Sequence, residues 1–229
     1  MAGGQGARMR PYTTVLPKPL LPVGDRPILA ILLEQLAGAG VTRFDLCLGY
    51  LGELIRAYLD QSPPELRGAE LRFNTESEPL GTAGALREIE DLDERFLLLN
   101  GDVLTSLDFA ALAEAHARSG ADLTVTVRTD RIEIGSGVLD ITGDEVTAYV
   151  EKPVIEHEVS TGIYVVEPAA LDHLPGGRVD VPELVGELIA AGRRVGAHRL
   201  DGEWFDIGTP DDHRRATAEF LESPGRYLP

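Results

Sequence analysis

Apolar positions along this chain fall into two textures. Up to about residue 128, helix-spaced apolar clusters alternate with short continuous apolar runs. Residues 27–38 place Ile28, Leu29, Ile31, Leu32, Leu33 and Leu36 on one broad face, with Pro27 in the first turn and Gly38 and Gly40 as the stop, which predicts a helix. Residues 51–59 gather Leu51, Leu54, Ile55, Tyr58 and Leu59 on one side of a second helix, which Ser62-Pro63-Pro64 breaks. Further helices are predicted over 82–89, entered through Pro79-Leu80-Gly81, over 108–118, capped by Asp108, over 182–191 and over 210–221. Short strands are predicted at 43–48, 71–74, 95–100 and 122–128. Within them, Phe96-Leu97-Leu98-Leu99 has the unbroken pattern of a parallel strand buried on both faces. Beyond Gly135 the texture changes to short strands at 138–141, 146–150 and 159–166, joined by turn residues such as Gly143-Asp144, with one more strand at 194–198. That part reads as antiparallel. The order implies an α/β protein: one three-layer, Rossmann-like domain over 1–229, with a mostly parallel central sheet and a small antiparallel extension.

Composition narrows the function. The 229 residues are 43% hydrophobic, enough for a sizeable core, and no apolar run is long enough to span a membrane. No secretory leader is visible, so a cytoplasmic location is expected. A formal net charge of −17 would repel nucleic acid and anionic membrane. A small anionic substrate is compatible only where positive charge is concentrated locally. The single cysteine, Cys47, excludes a disulfide framework, and its apolar setting at 44–48 reads as a small buried hydrophobe.

Such a concentration stands at the beginning of the chain. Gly3-Gly4-Gln5-Gly6 puts three glycines in four positions and is followed by Arg8 and Arg10. Glycines let the backbone turn and present bare N–H groups to a ligand. Lys18 follows between Pro17 and Pro19, which should hold it on a stiff, extended strut. N–H donors with fixed cations suit a polyphosphate. A generic glycine turn with solvated arginines would explain Gly3 to Arg10 alone, but not the Pro-Lys-Pro-Leu-Leu-Pro-Val run beyond it. A dinucleotide loop would need a third glycine where Met9 stands, and a P-loop would need a terminal Gly-Lys-Ser/Thr.

Read together, Gly3-Gly4-Gln5-Gly6-Ala7-Arg8-Met9-Arg10-Pro11 and Pro17-Lys18-Pro19-Leu20-Leu21-Pro22-Val23 resemble the signature of the sugar-1-phosphate nucleotidyltransferases. Ala7 departs from it, since the family usually has Thr. In relatives an apolar strand delivers this loop, and only Met1 and Ala2 precede it here. The expectation is therefore a first strand missing ahead of Met1, with Met1 at its end. Four more blocks carry the resemblance: Glu76-Ser77-Glu78-Pro79-Leu80-Gly81-Thr82-Ala83-Gly84-Ala85-Leu86; Leu98-Leu99-Asn100-Gly101-Asp102; Glu151-Lys152-Pro153 with Ser160-Thr161-Gly162; and Trp204-Phe205-Asp206-Ile207-Gly208-Thr209-Pro210. Three of them have a plainer alternative: a loop capping a helix, a solvated Glu-Lys pair, and a turn aspartate before a Thr cap.

The resemblance implies a nucleotidyltransferase fold and a reaction of an NTP with a sugar-1-phosphate to give an NDP-sugar and pyrophosphate. It implies catalytic roles for Arg8, Lys18 and Lys152. Ala2, Gly3, Gly4, Gly6, Glu76, Gly81 and Thr82 would bind nucleotide, and Gly101, Glu151, Ser160, Thr161 and Gly162 the sugar. Asp102 and Asp206 would hold Mg2+. Ser160 replaces the usual Asn, which leaves the sugar open. The closest likeness is to the short heptose- and mannose-1-phosphate guanylyltransferases without a C-terminal β-helix. A homodimer is compatible with it, and neither nucleic acid nor membrane is an expected partner. Two alternatives remain at this point: a uridylyl- or thymidylyltransferase of the N-acetylmuramate-1-phosphate kind, and a non-catalytic regulatory relative. Glu76 bears on the base. A carboxylate only accepts, and guanine offers two adjacent donors. GTP is therefore the favoured substrate, although Glu78 could serve equally and a Glu here does not exclude UTP.

Overall fold

The computed structural model describes residues 1–61, 66, 68–76 and 78–228. The glycine loop is followed by single 3-10 turns at Ala7–Met9, Tyr12–Thr14 and Lys18–Leu20. A two-residue ribbon, β1 (Pro22–Val23) and β2 (Arg26–Pro27), leads into α1 (Ile28–Gly38). Then come β3 (Arg43–Leu48), α2 (Gly52–Leu59), β4 (Glu70–Thr75), a single turn α3 (Gly81–Gly84), β5 (Phe96–Leu99), β6 (Val103–Thr105) and α4 (Phe109–Ser119). The second half holds β7 (Leu123–Glu133), β8 (Val138–Thr142), β9 (Glu145–Val150), β10 (Val154–Val166), α5 (Val181–Ala190), β11 (Val195–Arg199), β12 (Trp204–Asp206) and α6 (Pro210–Glu222). The expected break at Ser62-Pro63-Pro64 lies outside the described residues.

The sheet is mostly parallel, as its sequence pattern suggests. β3 and β4 pair in parallel, and Ala2 forms a parallel bridge with Leu48. On the other side Met1 N donates to Leu99 O at 2.7 Å and Gly101 N donates to Met1 O at 2.9 Å, the alternation of a parallel ladder. β5 and β7 are each antiparallel to β10, and β11 is parallel to β7. Among the described strands of this sheet, β10 is the one that opposes its neighbours. It is also the ladder partner of β5, a strand whose apolar run had pointed to parallel neighbours alone.

The two faces of the sheet bury different sets of side chains. Ile163 and Val165 of β10 pack with Leu29, Leu32 and Leu36 of α1 and Leu112 of α4. Tyr164 and Val166 point the other way, into a cluster with Leu184 and Leu188 of α5. This alternation along one strand makes the three layers. A third cluster joins Ile28 and Ile31 of α1 to Leu104 of β6 and Phe220 of α6, fixing the glycine-loop side of the molecule. Asp108 caps α4 by accepting from Ala111 N at 2.9 Å. The outer ends of β7 and β10 run past the core and, beside β8 and β9, form an exposed arm.

Between β3 and β5 lies a cavity of about 390 Å3, lined by Leu33, Leu36, Phe44, Leu46, Phe96 and Leu98 among others. Met1 and Ala2 sit at one end of it, bonded to both flanking strands. Burial pushes the Met1 ammonium below its ordinary pKa. The space accounts for the partial exposure of Phe96, Leu97 and Leu99, which the sequence pattern placed in a fully buried strand. A short apolar extension ahead of Met1 should enter this slot and turn the buried ammonium into an amide. Each apolar side chain so buried contributes about 1.5–3 kcal/mol, and in a chain of this size about 1 kcal/mol moves the melting temperature by ~2–4 °C. Calorimetry of the extended chain should show a rise of several degrees, and an unchanged midpoint would mean that the slot is not a strand's seat.

Candidate active site

The glycine loop lies flat on the loop that follows β3. Tyr50 N donates to Gly3 O at 3.2 Å, and a Cβ at Gly49 would lie 2.7 Å from that same oxygen, so the approach requires a glycine there. Gly6 adopts φ +58°, and Thr13, itself buried, braces it by donating from Oγ1 to Gly6 O at 2.8 Å. Thr13 and Gly49 carry no motif and were not singled out by sequence. Lys18 does not ride on an extended strut. It opens a one-turn 3-10 helix, Lys18–Leu20, after an extended Pro17. The Leu21 N to Lys18 O bond, 3.0 Å, outweighs the preference that Pro19 imposes on its predecessor.

Three-residue pairing brings the two aspartates together. β12 runs antiparallel to β6 with Trp204 opposite Thr105, Phe205 opposite Leu104 and Asp206 opposite Val103. Val103 follows Asp102, so this register sets Asp206 beside Asp102. Lys18 Nζ stands 2.5 Å from Asp102 Oδ2 and 3.4 Å from Asp206 Oδ1. One ammonium, its side chain only 11% exposed, thus touches both carboxylates. Arg8 extends to the same place, with its guanidinium beside Gly208. These groups open on a second cavity of about 310 Å3, lined by Ala2, Gly4, Gly6, Arg8, Lys18 and Asp102, with Gly208 at its edge.

Glu76 reaches this region from the end of β4. Its Oε2 accepts from Leu80 N at 3.1 Å, and its Oε1 lies 3.7 Å from where a Gly3 Cβ would be. Glu78 is exposed, whereas Glu76 is half-buried. Gly81 has φ +83° and Thr82 follows it, but the amide and hydroxyl of Thr82 both turn inward, to Asp180.

The β7–β10 register slips between Ser160 and Tyr164, and the loosened segment reaches Asn100. Gly162 has φ +74°, and a Cβ there would lie 2.5 Å from Asn100 Nδ2. Thr161 is buried, with its hydroxyl on Thr126 O at 2.9 Å and its carbonyl accepting from Trp204 Nε1 at 2.8 Å. Ser160 Oγ pairs with Tyr164 OH at 3.0 Å. The Gly101 amide is taken by Met1 O. Glu151 and Lys152 are not brought into this group. They stand exposed at the β9–β10 turn, Glu151 accepting from Tyr149 OH at 2.7 Å and Lys152 at φ +45°. Thr209 is indeed the cap of α6, accepting from Asp212 N at 3.3 Å, so the Asp-x-Gly-Thr run both terminates β12 and starts a helix.

The sequence pattern of the nucleotidyl transferase family matches residues 1–223. The chain belongs to that family. The mannose-1-phosphate guanyltransferase of Yarrowia lipolytica is 32% identical over 237 residues, which cover 100% of this chain and 65% of that protein. The Saccharomyces cerevisiae protein of the same name is also 32% identical and is covered to 66%. This chain therefore spans about two thirds of the length of these relatives. Among solved structures, HddC from Yersinia pseudotuberculosis superposes with a TM-score of 0.74 at 28% identity, covering 96% of each chain. The same protein complexed with GMP-PN gives 0.71.

Gly162 should be the least replaceable residue of the segment 160–164. Gly162→Ala forces a Cβ against Asn100 in a backbone conformation that costs a side chain about 1–3 kcal/mol. Urea melts should show a loss of that order, with Asn100→Ala in the same background recovering the part due to the clash and not the part due to φ.

Proposed function

We propose that this chain transfers a nucleotidyl group from an NTP to a sugar-1-phosphate, forming an NDP-sugar and pyrophosphate. The observation that carries the reading is Lys18, held on Asp102 and Asp206 at the mouth of a glycine loop that Arg8 also faces. A phosphate oxygen of the sugar-1-phosphate attacks the α-phosphorus, and the bond from that phosphorus to the pyrophosphate oxygen breaks in line. The nucleophile is already anionic, so no side chain has to remove a proton. Positioning and charge neutralisation do the work. Arg8 neutralises the departing pyrophosphate and Lys18 the α-phosphate region, with Ser160, Thr161, Gly162 and Gly101 on the sugar side. Glu151 and Lys152, exposed at the β9–β10 turn, lie outside this group and carry no role in this step.

Asp102 and Asp206 suit a hard divalent cation in donor chemistry, since Mg2+ takes one or two carboxylates and completes its shell with phosphate oxygens and water. Among the described residues no cluster of three or more His, Cys, Asp or Glu competes for that role. We assign Mg2+ to the pair; when bound, it would offset phosphate charge. GTP is the favoured nucleotide. In support, the relatives at 32% identity are named guanyltransferases, the HddC structure holds GMP-PN, and Glu76 lies half-buried beside Gly3. A single domain, a cytoplasmic setting and an optional homodimer complete the reading. No helix among the described residues is long and apolar enough to cross a membrane.

Pyrophosphate release across four NTPs and several sugar-1-phosphates tests the reaction. Turnover is expected to be highest with GTP and a mannose- or heptose-type phosphate, and absence of turnover in every combination would overturn the reading. Within the active pair, Asp102→Asn should lower kcat by orders of magnitude while leaving the melting temperature within a few degrees. Glu76→Gln should erode the preference for GTP over UTP, because an amide cannot accept from two guanine donors at once. A wild-type preference for UTP, or a GTP preference that the substitution leaves intact, would remove Glu76 from this role.

A further inference from the structure

The segment 80–84 is locked to a loop about a hundred residues away in sequence. Val179 N donates to Leu80 O at 2.8 Å. Ala83 N and Gly84 N both donate to Val179 O, at 2.9 and 3.0 Å. Thr82 N and Thr82 Oγ1 both donate to Asp180 Oδ1, at 2.9 and 3.2 Å, and Val181 N donates to Thr82 Oγ1 at 3.0 Å. Arg87 extends the contact by donating to Gly177 O and Pro175 O. The fit leaves no room for a side chain at Gly81, where a Cβ would come within 2.4 Å of Val179 O.

This lock bears on Glu76 through a short chain of bonds. Leu80 N holds Glu76 Oε2, and Leu80 O is held by Val179. Asp180 fixes the next turn through both polar groups of Thr82. It is also the N-cap residue of α5, and its own amide is held by Glu183 Oε2 at 2.7 Å. The backbone that carries the carboxylate is thus fixed from its own helix. A group that is fixed itself and takes two bonds on one oxygen can set the geometry of a neighbouring segment at little cost in freedom.

We propose that Asp180 is the positioning residue for the base-reading segment, and that Thr82 is its latch rather than a nucleotide contact. This rests on the reading above that residues 76–86 receive the nucleobase. Asp180 touches no reacting atom. Its role is to keep Leu80 and Thr82 where Glu76 meets the edge of the base.

The test is GTP binding by calorimetry and steady-state kinetics, with wild type, Thr82→Val, Asp180→Asn, Asp180→Ala and Glu76→Gln. Thr82→Val removes the hydroxyl and keeps the shape, so it should fold as wild type. It should raise Kd and KM for GTP by about tenfold, the scale of one or two lost hydrogen bonds, with KM for the sugar-1-phosphate unchanged. Asp180→Ala should do so more strongly. Asp180→Asn keeps an accepting oxygen and should restore most of the affinity. A lower melting temperature for Thr82→Val and Asp180→Ala with GTP affinity unchanged would make the lock merely structural and overturn the proposal. Should Asp180→Ala fail to fold, Thr82→Val decides alone. Glu76→Gln separates the two levels. If it shifts base preference while Thr82→Val leaves GTP affinity intact, only the positioning role fails. If Glu76→Gln changes neither affinity nor preference, the base-reading assignment falls and the positioning role with it.

Discussion

Asp102 and Asp206 would repel each other at this separation, and Lys18 is what holds them together. Its ammonium contacts both, on a side chain that is nearly buried. Three independent pieces of chain must be right for this to happen. Asp102 must leave the end of β5, Asp206 must be delivered by the β6–β12 register, and Lys18 must be turned inward by the 3-10 turn after Pro17. A one-residue slip between β6 and β12 would carry Asp206 to the opposite face of the strand. The rest of the fold can be understood as what prevents that slip. Leu104 and Ile207 are buried with α1 and α6, Thr105 is fixed through Gln35 and Glu203, and Ile207 N bonds to Asp102 O.

Those short strands are also where sequence reasoning ran out. The α1 helix and β3 were legible to within a residue, because eleven and six residues give the period room to show. Three residues, as in Val103–Thr105 and Trp204–Asp206, carry no period at all. The predicted helix over 82–89 is a turn of α-helix followed by a 3-10 turn over Ala85–Glu88. Both place Ala83 and Leu86 inward, so apolar spacing does not distinguish them. β7 and β10 continue beyond their predicted ends, since their outer residues are largely exposed and show no contrast between faces. In the site, motif residues came with their blocks: Gly6, Arg8, Lys18, Asp102 and Asp206 were named by the resemblance those blocks carry and are found together. Thr13, Gly49 and Asp180 act through shape and backbone bonding, which leaves no pattern in a single sequence, whereas Asn100 and Trp204 lay inside quoted blocks without a role assigned to them.

The glycine loop gains its rigidity in an indirect way. Its own residues are permissive, yet its flanks are tied down by main-chain bonds: Met1 to β5, Ala2 to β3, Gly3 to Tyr50 and Gly6 to Thr13. Positive φ at Gly6 is therefore a fixed turn rather than a flexible one. Fixed N–H donors need little reorganisation when an anion arrives, and that is where such sites gain over water.

Charge bears on how the proposed nucleotide would be received. The chain carries −17 overall, and the cluster of Lys18 with Asp102 and Asp206 sums to −1, with the Arg8 guanidinium beside it at Gly208. A triphosphate approaching that cluster alone would meet two carboxylates that share a single lysine ammonium. Adding a dication to the carboxylates changes the local sum from −1 to +1 and frees the ammonium for a phosphate oxygen. Nucleotide and cation would then bind with positive coupling, each raising the affinity for the other by the same factor. The acidic character of the protein is thus not at odds with an anionic substrate. Under the proposed reaction it would make recognition conditional on a cation, and the −17 background would add a long-range repulsion that rising ionic strength weakens.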